Sequence, residues 1–271
     1  MAAVRLPRST SGRSAVQVAR RIAREGGALA RIANALPKEE RSKGRGNVVT
    51  ETDFAVEALV KGILAEEYPE QRLLSEETLS DTSPEGWVWV LDPVDGTRNF
   101  ASAIPIFCIN VALCLDGVTQ IGLTYDALLR EEFLAVRGRG LRVNGRPAAA
   151  SAKQRVADSV VCFDTSFHDT RGRRVLEMML ALWPGVQAMR IVGSAALGLA
   201  YAACGRFDLY TQPSLQPWDI VASLLQVEEA GGRISDRDGA PATLFSDSVI
   251  AGGKSVHADF LKLTAGIPWR D

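Results

Sequence analysis

The chain has 271 residues, 46% hydrophobic and 23% charged, with 24 Gly and 12 Pro; this is ordinary globular usage and excludes collagen-like, coiled-coil and wholly disordered classes. Its 31 basic and 32 acidic side chains leave a formal charge of −1, so no global positive field draws in a nucleic-acid backbone. The longest strongly apolar stretch, residues 106–115, is interrupted by Asn110 and falls short of the ~18 residues that a membrane helix needs.

The first 24 residues carry six arginines and no acid, and no apolar h-region follows, which argues against a secretory signal. Residues 1–13 are predicted to form a flexible basic tail, with an organelle transit peptide as the alternative. Ala15, Val18, Ala19, Ile22, Ala23, Leu29, Ile32 and Ala33 follow helical spacing up to Pro37, predicting a helix over 14–36. Lys43 to Asn47 reads as a turn, and a second helix is predicted over 53–68, with Asp53 at its start and Pro69 ending it. Beyond Pro84, strands are predicted over 87–91, 108–115, 118–125 and 131–136, separated by Gly-rich turns in the manner of an antiparallel meander. After Ser151 the pattern alternates: strands at 159–163, 188–192 and 207–211, helices at 173–183 and 194–204. A helix over 218–230, strands near 232–235 and 249–251, and a terminal helix over 256–264 complete the chain. The composition shift at 147–156 separates an N-terminal α+β portion (14–150) from a C-terminal α/β portion (151–271). Cys108, Cys114, Cys162 and Cys204 form no C-x-x-C pair and read as buried free thiols of a reducing compartment, which points to the cytoplasm.

The only histidines, His168 and His257, belong to no metal-binding pattern, and no G-x-S-x-G or G-x-x-x-x-G-K-[ST] motif is present. Carboxylates remain. An apolar, β-favouring run from Trp87 leads directly into Asp92-Pro93-Val94-Asp95-Gly96-Thr97. Pro93 fixes a turn and Gly96 permits unusual backbone angles, so both acids can face one point. Two such buried anions repel and take up protons unless a cation neutralises them. Magnesium suits the role, because it takes oxygen ligands and is shared with substrate phosphates; the carbonyl of Val94 is a further ligand candidate. Taken alone, the same segment also reads as an Asx-rich turn. Glu76 and Glu77 are adjacent in an extended chain and point to opposite faces, so one of them, Glu76, joins the cluster. Asp219, at the head of an apolar helix, reads as an N-terminal cap or as a further ligand.

Asn47-Val-Val-Thr50-Glu-Thr-Asp53, Ser75-Glu76-Glu77, Asp92-Pro-Val-Asp95-Gly-Thr97-Arg-Asn-Phe100, Gly193-Ser194-Ala195-Ala196 and Trp218-Asp219-Ile-Val-Ala with Glu229-Ala-Gly-Gly232 together resemble the inositol monophosphatase family of magnesium-dependent, lithium-sensitive phosphatases. Order and spacing agree from about residue 14 to residue 265. The resemblance implies a layered α-β-α-β-α fold of the α/β class and a homodimer. Its substrate is a small-molecule phosphate ester, with no nucleic-acid or membrane partner. It further implies that Glu76, Asp92 and the Val94 carbonyl hold one Mg²⁺, and that Asp92, Asp95 and Asp219 hold a second, with Asp92 bridging. A third ion lies near Glu76 and Asp53, and Mn²⁺ is a possible substitute.

By the same resemblance, Thr97 orients the attacking water and passes its proton towards Asp53, so that Glu76, Thr97, Asp53 and Asp92 are the catalytic set. The amides of Gly96 and Thr97 cradle the phosphate. Ser194, the Ala195 amide and Asp219 meet the rest of the substrate. Gln212 stands where inositol-specific members usually carry a Glu, which weakens the case for myo-inositol 1-phosphate and opens fructose 1,6-bisphosphate or histidinol phosphate. A silent dimeric binding module is opposed by retention of every proposed acid. A nucleotide 3′-phosphatase of the same superfamily would favour adenine contacts that the sequence does not locate.

Overall fold

Two large sheets, a small two-stranded one and three layers of helices make up the computed structural model, which describes residues 4–36, 40–44, 47–77, 83–165 and 168–270. Helix α1 (Ala15–Asn34) starts at a capping box: the Ser14 hydroxyl accepts from the Gln17 amide, and the Gln17 side chain accepts from the Ser14 amide. A polar hairpin, β1 (Glu40–Gly44) and β2 (Asn47–Thr50), leads into α2 (Glu51–Glu67). The residues alone predict only a turn here, because Glu-Arg-Ser-Lys-Gly carries no apolar alternation; the tip at 45–46 and Pro37 lie outside the described residues. Upstream of α1, the segment expected to be a flexible tail is tied down from Pro7 onwards. Tyr68 donates to the Pro7 carbonyl, the Thr10 amide donates to Glu67, and Ser11 and Arg13 engage the buried Glu67 carboxylate. That carboxylate is held down to about 2, first by Ser11 and then by Ser9, with Arg13 adding to the effect.

Helices α1 and α2 cover one face of a seven-stranded sheet: β3 (Arg72–Ser75), β4 (Trp87–Asp95), β5 (Cys108–Leu115), β6 (Val118–Asp126), β7 (Glu131–Val136), β8 (Leu141–Val143) and β9 (Arg146–Ala148). β3 runs parallel to β4, and the rest form the expected antiparallel meander. Alternation sorts the side chains: Trp89, Leu91, Ile109, Val111, Leu113, Ile121 and Leu123 pack under α1 and α2, whereas Val88, Val90, Ala112 and Cys114 pack on the opposite face. That second face meets α6 (Pro217–Glu229) and, beside it, α5 (Ala195–Ala203).

The second sheet has the order β11 (Ala188–Arg190), β10 (Val160–Phe163), β12 (Leu209–Gln212), β14 (Val249–Gly252), β13 (Arg233–Ser235). Cys162, Tyr210, Val249 and Ala251 turn towards α5 and α6. Val161, Phe163, Leu209 and Ile250 turn the other way, onto α4 (Asp169–Leu182) and α7 (Lys254–Leu263). The result is five layers, α-β-α-β-α. A five-residue helix, α3 (Thr97–Ala101), follows β4. Among the described residues no helix is long and apolar enough to cross a membrane.

Candidate functional site

The acidic segment differs from its sequence reading in one decisive respect. Pro93 does not turn the chain; β4 continues through it to Asp95, with Asp92 opposite Asn110 and Asp95 opposite Cys108. Three steps on β4 thus match two on β5, which is a β-bulge, and a proline is tolerated there because its missing N–H breaks no ladder bond. The bulge has a chemical consequence. In a regular strand residues three apart face opposite sides, but Asn110 and Cys108 are two apart and share a face, so Asp92 and Asp95 share it too. Gly96 then turns the chain at φ +89°, where a Cβ would stand 2.9 Å from the Ile106 carbonyl oxygen.

Asp95 is 5% exposed and surrounded by donors: the Ser194 hydroxyl, the amides of Ala195 (3.0 Å) and Ala196 (3.2 Å), and the Cys108 thiol (3.4 Å). The hydroxyl of Ser194 and the amide of Ala195, expected to meet the substrate, therefore hold Asp95, because a buried carboxylate needs those donors more than a solvated ester does. Asp92, 2% exposed, accepts from the Val94 amide at 3.0 Å.

Asp219 is the third residue of α6, and its Oδ2 accepts from the Gln216 amide at 2.7 Å. It is a helix cap and a cluster member at once. The start of α6 is pinned to the first sheet by a polar network: Asn110 donates to the Trp218 carbonyl (2.7 Å) and accepts from Thr124 (2.8 Å), while Gln226 donates to Thr124 (3.1 Å) and to the Phe133 carbonyl (2.9 Å). Ligating oxygens of Asp92, Asp95 and Asp219 lie within 4.8 Å of one another. Glu76, just beyond β3, and Val94 line the same cavity of about 360 Å³, with Gly96, Thr97 and Gln212.

Asp53 occupies the third position of α2, fully buried, where it accepts from the Thr50 amide at 2.8 Å and from the Thr50 hydroxyl. Thr97 bridges inwards, its Oγ1 2.9 Å from the Val94 carbonyl oxygen and 3.3 Å from Asp53 Oδ1. Burial raises Asp53 to about 6, with the Thr50 hydrogen bonds opposing. Asp92 is pushed well up, first by burial and then by Glu76, Asp95, Asp219 and Asp53, all of them anions. Burial and then Asp95 raise Asp219 in the same way. Burial also raises Asp95, against the hydrogen bond from Ser194. Converging oxygen donors of one charge sign, buried together, are the donor set a hard divalent cation takes. Such a cation fits here, with Asp92, Asp95, Asp219, Glu76 and the Val94 carbonyl as its candidate holders.

Gln212, at the end of β12, is not free to swing: its Nε2 donates to the Ser214 carbonyl at 2.9 Å and its Oε1 meets the Tyr210 hydroxyl. Three further residues of the site escaped the sequence reading. Asn110 was visible only as a break in an apolar run, although a polar residue inside a buried strand signals an internal hydrogen bond. Asn99 lies inside the Asp92–Phe100 segment, but its role is not visible there, because it grips the carbonyls of Val192 and Gly193, 93 and 94 positions away; Asp164 carries no local signal, the amides it holds lying 28 and 29 positions on.

A model of the inositol monophosphatase family matches residues 13–267. The chain is 32% identical over 259 residues to an inositol monophosphatase of Dictyostelium discoideum, covering 92% of this chain and 93% of the relative. It is 34% identical over 225 residues to the Nus factor SuhB of Haemophilus influenzae, covering 82% and 84% respectively. Among solved structures, the extragenic suppressor protein suhB of Bartonella henselae superposes with a TM-score of 0.88 at 29% identity, over 93% of this chain and 99% of that one. The relatives are named for different roles.

Proposed function

Because the chain belongs to the inositol monophosphatase family and its acids converge in one cavity, we propose that it is a magnesium-dependent phosphomonoesterase that hydrolyses the phosphate ester of a small polyol. The observation that carries this reading is the meeting of Asp92, Asp95 and Asp219, drawn from β4 and α6, within 4.8 Å. Divalent ions held there would supply charge for the phosphoryl oxygens, acidify the attacking water and stabilise the departing alkoxide.

The chain's own groups do the rest. Thr97 Oγ1 takes the proton of the attacking water and passes its own to Asp53 Oδ1. Asp53 is suited to receive it because burial brings its pKa to about 6, near the pH at which a base works. The amides of Gly96 and Thr97, on the cavity wall, face the phosphate. Gln212 offers one remaining N–H and a lone pair but no charge, which suits the hydroxyls of a neutral polyol better than the ammonium of histidinol phosphate. Fructose 1,6-bisphosphate is the second substrate class compatible with an uncharged end. The same reading carries a homodimer in the cytoplasm, in keeping with four free cysteines, and inhibition by Li⁺ at the looser ion position.

The test is turnover of inositol 1-phosphate, fructose 1,6-bisphosphate and histidinol phosphate with Mg²⁺ and with EDTA. The expected order is inositol 1-phosphate first and histidinol phosphate last, with chelation abolishing hydrolysis. Turnover that survives EDTA, or none towards any ester, overturns the reading.

A further inference from the structure

Asp164 follows β10 and is 5% exposed. Its Oδ1 accepts from the amides of Gly193 (2.8 Å) and Val192 (3.2 Å). From the opposite side, Asn99 of α3 donates to the carbonyls of Val192 (2.7 Å) and Gly193 (3.2 Å). One dipeptide is thus gripped by both its N–H and its C=O groups. Gly193 sits at φ +68°, where a Cβ would meet the Asn99 amide at 3.1 Å, so a side chain here would strain the backbone and crowd the grip. The three residues that follow supply the hydroxyl and two amides that aim Asp95.

The other oxygen of Asp164 leads elsewhere. The Tyr210 hydroxyl lies 2.9 Å from Asp164 Oδ2 and also contacts Gln212 Oε1. A hydroxyl has one proton for these two acceptors. Flipping the Gln212 amide does not help, because it would turn Oε1 towards the Ser214 carbonyl that Nε2 now satisfies. The chain closes when Asp164 supplies the missing proton: Asp164 Oδ2–H donates to Tyr210, and Tyr210 donates to Gln212. Burial lifts Asp164 to about 6 against the hydrogen bonds from Gly193 and Tyr210, so the protonated form dominates below pH 6.

We propose that Asp164 is the positioning residue of this site, a neutral carboxylic acid that holds the loop at 192–194, and through it Asp95, while aligning Gln212 through Tyr210. The inference deepens the phosphatase reading and rests on it for the turnover measurement alone. Asp164→Asn is isosteric with the protonated acid: Oδ1 still receives Gly193 and Nδ2 donates to Tyr210. Asp164→Ala removes both arms. Tyr210→Phe removes only the arm to Gln212.

Three readouts separate these variants: calorimetric titration with Mn²⁺, amide hydrogen exchange at residues 193–196, and KM for inositol 1-phosphate against p-nitrophenyl phosphate, which has no polyol hydroxyls. Asp164→Ala should lose Mn²⁺ affinity by on the order of tenfold or more and lose exchange protection. Asp164→Asn should stay within about threefold of wild type on every readout, as expected when each hydrogen bond is replaced. Tyr210→Phe should keep Mn²⁺ affinity and raise KM for inositol 1-phosphate alone. Wild-type Mn²⁺ affinity and protection in Asp164→Ala overturn the clamp. Loss of affinity in Asp164→Asn, which stands as the test even if the alanine variant does not fold, overturns the neutral acid. Titration and exchange need no turnover, so a wild-type chain inert towards every ester refutes the phosphatase reading and leaves these two readouts to decide Asp164.

Discussion

Replacing Gly122 by Ala tests whether α6 is seated on the first sheet by direct backbone contact. Gly122 pairs with Ala112 on β5 and Ala135 on β7, a row of small residues across three strands directly beneath the helix. A Cβ at position 122 would stand 2.4 Å from the Ala222 carbonyl oxygen, 2.9 Å from its Cα and 3.0 Å from its carbonyl carbon. Ordinary contact begins at 3.4 Å, so α6 must retreat by roughly 1 Å, since backbone has no rotamer to yield. Overpacking of this kind costs about 1–3 kcal/mol, a Tm drop of roughly 2–12 °C for a chain of this size. Asp219 lies one helical turn from Ala222 and moves with it; a misplacement of ~1 Å at a reacting centre costs on the order of a hundredfold in rate. Gly27→Ala is the control. Its Cβ would meet the Tyr125 ring at 2.7 Å on the other face of the sheet, where a side chain can swing. Thermal melts and kcat/KM on both variants give the comparison. An unchanged melt for Gly122→Ala, or equal activity losses in the two variants, refutes the reasoning.

Asp92→Asn should lower turnover by on the order of a thousandfold, because four other acids bear on Asp92 and the metal charge it balances dominates the chemistry. In EDTA the same variant should melt higher than wild type, since burial, Glu76, Asp95 and Asp219 all disfavour its ionised form; a lower melt would count against the clustering. For Asp53, burial raises the folded pKa from 3.8 to about 6, so the folded chain binds this proton more tightly than the unfolded one. Its contribution is complete below pH 4 and is lost as pH rises through 6, ~3 kcal/mol in all. Urea titrations in EDTA at pH 5 and pH 7.5 should show wild type losing stability between them, and Asp53→Asn losing less. Equal slopes would remove the basis for Asp53 as proton acceptor.

Much of this architecture could be read from residues. The 3.6-residue spacing of Ala15 to Ala33 marks α1, and the runs that became β5 and β7 begin and end where expected, because buried strands flanked by Gly turns carry their own boundaries. Chemistry singled out Asp92 and Asp95 as buried anions that demand a cation, but it left an Asx-rich turn and a helix cap at Asp219 open; the motif resemblance joined Glu76, Asp219 and Asp53 to them. What escaped is non-local. Pro93 reads as a turn until β5 is seen pairing on either side of it, and only then does the bulge explain why two acids three residues apart face one way. The first strand of the hairpin, Glu40–Gly44, has no apolar alternation to announce it. Ser194 and Ala195 carry the resemblance to a substrate loop, but nothing in their own neighbourhood reveals that Asp95 claims their donors.

Two of the acids, Asp53 and Asp219, occupy the third position of their helices and hold the amide of the N-cap residue three positions earlier. The groups that start these helices are therefore the ones offered to the reaction. Truncating either one to a methyl group unravels the first turn as well as emptying the cavity wall, and the resulting inactivity would be indistinguishable from misfolding. Amide-for-acid exchange keeps an oxygen for the turn while deleting the charge, so in this protein it is the substitution that separates architecture from catalysis.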